Sequence, residues 1–164
     1  LGVQRTTVTL VEQSLKAALQ KKPGLDLANF NLGLVYEETA RPDLAIAAYQ
    51  AEIKGNEKAF RACFNLAKLL QKQGRREEAT ALFKKSVEIQ PDFGTGQLYL
   101  AKALLDLGDL KNAEEWARKG LTHKPDPHIA PLGHYVLADV YNRQGRSKDA
   151  DREIAAARKM QPSG

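Results

Sequence analysis

Residues Phe60 to Pro91 read FRACFNLAKLLQKQGRREEATALFKKSVEIQP, two helical patterns on either side of Gly74. The first carries Leu66, Ala67 and Leu70, the second carries Ala79 and Phe83, and Pro91 stops it. Shifted by 34 residues in either direction the signature returns, with Gly33, Ala67 and Ala101 in one column; a fourth copy with Ala138 follows 37 residues after Ala101. A hairpin of two amphipathic helices cannot bury its apolar stripe alone, so a chain that repeats one at this interval stacks the copies into an array. Small residues are needed where two helices cross closely: Gly33, Ala67, Ala101 and Ala138 stand opposite Ala45, Ala79, Ala113 and Ala150, with larger side chains in the grooves around them. Gly74, Gly108 and Gly145 are predicted to end the first helix of their pairs in a left-handed cap, a conformation that costs a residue with a Cβ energy. Ala40 holds that place in the first pair, and Pro42 then opens the next helix where its missing N–H does no harm.

These columns resemble those of the tetratricopeptide repeat family, Trp-x2-Leu-Gly-x2-Tyr, then Ala-x3-Phe, then Pro. The first copy has Leu32-Gly33-x2-Tyr36 and Ala45-x3-Tyr49, with Glu57 at the place of the proline; the second has Leu66-Ala67-x2-Leu70, Ala79-x3-Phe83 and Pro91. The third has Leu100-Ala101-x2-Leu104, Ala113-x3-Ala117 and Pro125, and the fourth Leu137-Ala138-x2-Tyr141, Ala150-x3-Ile154 and Pro162. The leading tryptophan column is replaced by Asn29, Cys63, Gln97 and His134. The resemblance covers most of the chain. It implies an all-α fold, a right-handed α-solenoid of antiparallel helix pairs with about four repeats and an N-terminal half repeat.

The chain has 164 residues, 43% hydrophobic and 27% charged, with a net charge of +5. Much of the excess lies in last helical turns, at Lys84-Lys85, Arg118-Lys119 and Arg158-Lys159, where cations complement the helix dipole. A basic surface of that origin does not call for nucleic acid, and Glu37, Glu38, Asp106 and Asp139 interrupt any basic stripe. No apolar run approaches the ~20 residues that cross a bilayer, so membrane insertion is not expected. The single cysteine, Cys63, excludes an internal disulfide. A start at Leu1 rather than Met leads us to expect a piece of a longer protein, whose upstream targeting segment has been removed or lies elsewhere; a cytoplasmic location is the default.

In chain order, residues 1–8 are expected to be a lead-in, and Thr9 and Glu12 a capping box that opens a helix carrying Val11, Leu15 and Ala18. That helix, 9–24, matches only the second half of a repeat. Four repeats follow over 25–58, 59–92, 93–129 and 130–164. Their helices are expected near 27–39, 43–55, 57–73, 76–90, 95–107, 110–123, 130–144 and 147–160. Pro125, Pro127 and Pro131 lengthen one connection, either as a spacer or as an added contact.

No nucleotide-binding, metalloprotease, redox or serine-hydrolase motif occurs, so no catalytic residue and no cofactor is expected. His123, His128 and His134 straddle prolines at spacings that do not share a helix face, which argues against a metal site. The resemblance places the first helix of each pair on the concave side. Its inner columns are then Leu27, Phe30, Asn31 and Leu34; Arg61, Phe64, Asn65 and Lys68; Thr95, Leu98, Tyr99 and Lys102; and Leu132, Tyr135, Val136 and Asp139. From these, Asn31, Arg61, Phe64, Asn65, Lys68, Tyr99, Lys102 and Tyr135 are the candidate peptide-binding residues.

Asn31 and Asn65, one repeat apart, have two readings. They form a short ladder that bonds a peptide backbone, similar to the asparagine ladder of O-GlcNAc transferase-type arrays, or they bond neighbouring helices. Arg61, Lys68 and Lys102 likewise make either a cationic groove for an acidic segment, flanked by Phe64 and Tyr99, or a solvated face. Phe30, Leu34, Thr95 and Tyr99 depart from the carboxylate clamp of cochaperone arrays, so a chaperone-tail receptor of that kind is not expected. Trp116 lies beside the Ala117 column and is expected to pack rather than to anchor a partner. The favoured function is a scaffold that holds a protein or peptide partner; the alternative is an accessory region of a larger transferase or hydrolase that recruits substrate. The open ends of the array suit a homodimer.

Overall fold

A computed structural model describes residues 2–160 apart from Asp26, with side chains from Thr7 onward. Leu1, Gln161 and Pro162, the closing proline expected of the fourth repeat, lie outside the described residues. The described chain is all helix and turn: α1 Gly2–Lys21, α2 Ala28–Glu38, α3 Pro42–Gly55, α4 Phe60–Lys72, α5 Arg76–Ile89, α6 Gly94–Asp106, α7 Leu110–Thr122, α8 Ala130–Arg143 and α9 Ser147–Met160. The helices pack in sequence, α2 on α3, α4 on α5, α6 on α7 and α8 on α9, each pair against the next, as an all-α solenoid.

Every turn inside a pair is built alike. Ala40, Gly74, Gly108 and Gly145 have φ of 54°, 79°, 83° and 75°. The following residue's N–H reaches the carbonyl five residues back, Arg41 to Tyr36, Arg75 to Leu70, Asp109 to Leu104 and Arg146 to Tyr141, at 2.8–2.9 Å. This satisfies carbonyls that the helix end leaves open. Pro42 opens α3 at its first position. The small-residue column is a true crossing: a Cβ on Gly33 would lie 2.3 Å from the Tyr49 ring, which is why this repeat has glycine where the others have alanine.

Two corrections concern helix starts. Residues 1–8 are not a lead-in: the helix already runs from Gly2, since no proline or second glycine precedes Pro23. Thr9 is therefore interior and caps nothing. Glu12 instead binds Arg41 at 2.6 Å and Lys16 at 2.6 Å. The reason lies in the next repeat: Arg75 and Arg146 pair with Glu78 and Asp149 three residues on, but Arg41 finds Leu44 there and reaches back to α1. The second correction is α4, which starts at Phe60 and not near 57. Asn56 has extended backbone, and its side-chain oxygen accepts the Lys58 N–H at 2.9 Å, holding 56–59 as a turn.

The Arg41 and Lys16 bonds hold the Glu12 carboxyl down to about 2 from its ordinary 4.5. A depressed carboxylate stabilises the fold fully above its unfolded value and loses that contribution as pH falls towards its folded one. We expect Glu12→Gln to loosen α1 at pH 6, and the gap from wild type to close between about pH 4.5 and pH 2. Hydrogen exchange of the α1 amides checks this; a gap that persists at pH 2 refutes it.

The core has two parts. One runs from Leu32 through Tyr49, Leu66 and Phe83 to Leu100, the other from Ala101 through Val136 and Tyr141 to Ala150. Leu104 and Trp116 pack against both, so Trp116 joins the halves of the array as a packing residue, with Lys119 Nζ 4.8 Å from its ring centroid. The lengthened connection also makes a contact: the Asp126 N–H donates to Thr95 Oγ1 at 2.9 Å, tying it to the first turn of α6.

Candidate functional site

The first helices of the pairs, α2, α4, α6 and α8, carry the inner columns. α6 and α8 touch directly, which puts these helices on the crowded inner side of the array. The structure brings Arg61, Phe64, Asn65 and Lys68 onto one face of α4, with Asn31 on α2 and Tyr99 and Lys102 on α6 to either side; Tyr135 lies on α8 beyond them.

Two residues of the expected columns are not on the surface. Leu98 and Val136 are buried, at 0% and 1% exposure. Gly120 and Gly133 lie against Leu98 so closely that an added Cβ would come within 2.5 and 2.8 Å of its Cδ2, so α7 and α8 close over it.

The aromatic candidates are half-buried parts of the core. Phe64 makes edge contacts with Phe93 and Tyr99, both at 5.1 Å between centroids, and a tilted one with Phe83 at 5.7 Å. They form a floor and present their edges at the surface. Tyr135 is exposed.

The cations separate into two kinds. Lys102 bonds Asp106, one turn on, and in the fourth repeat Arg143 holds Asp139 through two bonds of 3.0 Å. These pairs at i, i+4 neutralise the groove over α6 and α8. On α4 the Arg61 guanidinium lies 5.4 Å from the Phe60 centroid and Lys68 Nζ 5.5 Å from that of Phe64. Among the described residues neither has a carboxylate partner. A cation resting on a ring keeps its charge available to an incoming anion.

Asn65 donates from Nδ2 to the Tyr49 hydroxyl at 3.3 Å, and that hydroxyl donates to Glu37 Oε2 at 3.2 Å. Burial pushes the Tyr49 hydroxyl well above its ordinary value, so it remains a donor. Asn65 thus bonds a neighbouring helix through its nitrogen, which leaves its carbonyl oxygen facing the groove side; Asn31 is exposed. This relay was not anticipated, although Tyr49 in the aromatic column and Glu37 one turn from Gly33 were its visible signals.

Elsewhere polar side chains serve packing. Buried Gln97, in the lost tryptophan column, bonds the Pro91 carbonyl at 2.7 Å and His123 at 2.8 Å; His134, in the same column, meets Glu153 at 2.7 Å. Buried Glu52 accepts the Phe30 N–H at 3.2 Å and so caps α2, which has no side-chain cap of its own. Among the described residues no group of three His, Cys, Asp or Glu is placed to hold a metal, and no helix is long and apolar enough to cross a membrane.

This geometry defines a class, a solenoid of helical hairpins with a partly charged inner face. Family models described as tetratricopeptide repeat match residues 27–53, 64–128 and 131–156, and the chain belongs to that family. It is 30% identical to protein O-mannosyl-transferase TMTC2 of Homo sapiens over 103 residues, 61% of this chain and 12% of that protein. To the Mus musculus protein of the same name it is 32% identical over 84 residues, 49% of this chain and 10% of that protein. The chain thus matches about a tenth of these relatives' length.

Among solved structures it is similar to MamA 41-end from Desulfovibrio magneticus RS-1, at TM-score 0.78 and 16% identity over 98% of this chain and 91% of that one. It is also similar to Pseudomonas aeruginosa pilF, at TM-score 0.78 and 20% identity over 99% and 72%. At these identities the likeness is one of fold. An array of this family is typically a non-catalytic scaffold for protein contacts.

Proposed function

We propose that the inner face holds an acidic segment of a partner protein against α4. One observation carries this: Arg61 and Lys68 stand on the same helix face, rest on phenylalanine rings and lack carboxylate partners, whereas the charges on α6 and α8 are internally paired. The Asn65 carbonyl oxygen between them, with Asn31 one repeat away, offers bonds to the segment's backbone amides. Tyr99 and Tyr135 extend the contact surface.

The test uses a fluorescein-labelled acidic peptide and the full chain. Arg61→Glu with Lys68→Glu is expected to weaken binding at least about tenfold. Wild-type affinity is expected to fall as salt is raised from about 50 to 300 mM. The melting temperature should stay nearly constant, since both heads are on the surface. Equal binding by wild type and variant refutes the proposal. Alanine at Asn65 is a poorer probe, because it also breaks the bond to Tyr49.

A second reading draws on the similarity to protein O-mannosyl-transferase TMTC2. In it the array is an accessory region of a larger transferase, and the same groove recruits a protein substrate.

A further inference from the structure

The geometry points to a helical occupant for the first half of the groove: an amphipathic, acidic helix of a partner protein, laid along α2 and α4. This rests on the reading that α4 binds acidic segments, and adds the occupant's conformation and its apolar side.

The same two columns carry different chemistry in successive repeats. Leu27 stands one repeat before Arg61, and Leu34 one repeat before Lys68. The two leucines are 46% and 40% exposed. α2 is therefore apolar on two sides, since Leu32, Val35 and Tyr36 already fill the core. A helix apolar beyond its core stripe has a second surface to cover. Leu27 holds that position with φ of 61°, an uncommon conformation for a bulky side chain and one that clusters at binding sites.

Seven residues are two helical turns, about 10.5 Å, and packed helices lie about 8–10 Å apart. The leucines and cations thus mark four corners of a near-square, one edge apolar and the facing edge basic. The walls meet at one end, where Leu27, Phe30 and Arg61 line a single shallow pocket. A helix presents like residues every two turns along neighbouring stripes at that same spacing, so it meets both edges at once. An extended strand alternates its faces at about 3.3 Å per residue and cannot keep one face to each wall. The pattern stops after the second repeat: the third has Thr95 and a paired Lys102, the fourth a paired Asp139.

The probe is a labelled peptide of about 18 residues, long enough to populate a helix, with leucines every seventh residue on one stripe and glutamates on the next. A shuffled peptide of the same composition is its control. The patterned peptide is expected to bind the full chain at least about tenfold more tightly than the control, a gap of about 1.4 kcal/mol, and to gain helical circular dichroism when bound. Leu34→Ser is expected to weaken the patterned peptide about tenfold at an unchanged melting temperature. Equal affinity for both peptides, no gain in helicity, or full binding by Leu34→Ser overturns the helical occupant. If Arg61→Glu with Lys68→Glu still weakens both peptides in that case, the acidic-segment reading stands and only the helix is lost. If the double reversal also changes nothing, both fall.

Discussion

Phe83→Ala should lower stability by about 3–5 kcal/mol and melting temperature by something on the order of 10 °C. The ring is fully buried, at 0% exposure, and lies 5.7 Å from both Phe64 and Tyr99 between centroids. Phe64 in turn contacts Phe93, which contacts Phe60. One ring on α5 therefore supports aromatic contacts on α4, on α6 and on the turn between α5 and α6. Truncating it leaves a cavity that alanine neighbours cannot close, because the helices around it are held at their crossing distance by Ala67 and Ala79. In a linear array each repeat is stabilised by its own fold and by its neighbours. A defect at this junction should also loosen the coupling of the second repeat to the third. Urea unfolding monitored by circular dichroism is expected to show both a lower midpoint and a shallower slope. A midpoint shift below about 1 kcal/mol would mean that the array does not depend on this cluster.

The repeat was legible because it is written in residues with few substitutes. Gly74, Gly108 and Gly145 adopt positive φ, and the alanines opposite one another are buried where the helices cross. Those constraints act locally, so periodic spacing reveals them. What stayed hidden depends on neighbours distant in sequence. The capping-box pattern at Thr9 and Glu12 is equally compatible with a helix interior, and only the absence of an acid near Arg41 explains where Glu12 goes. Leu98 and Val136 occupy inner columns, yet the approach allowed by Gly120 and Gly133 takes Leu98 inside. The candidate groove was legible as a set of columns. Which of its charges are free was not, although the spacing of Lys102 to Asp106 and of Asp139 to Arg143 already allowed those pairs. Asn65 shows the limit: its place in the column was visible, and its bond to Tyr49 required knowing how α3 and α4 cross.

One substitution made at two glycines is expected to have opposite signs. At Gly94, a Cβ would lie 2.7 Å from the His123 carbonyl oxygen and 2.9 Å from that of Gly120. Both are backbone atoms, which cannot turn aside as a side chain does. Gly94→Ala must therefore push the start of α6 away from the end of α7, at a cost of about 1–3 kcal/mol. The displacement strains a junction already closed by Gly120 and Gly133, where Leu98 is clamped. Gly55, the last residue of α3, has nothing within 4 Å of the same added atom. There alanine meets no neighbour and reduces the freedom of the unfolded chain, so Gly55→Ala should raise stability by about 0.4–1 kcal/mol. Thermal unfolding of the two variants side by side decides the matter. If both shift the same way, close approach of backbones is not what fixes Gly94, and the packing that buries Leu98 must have another cause.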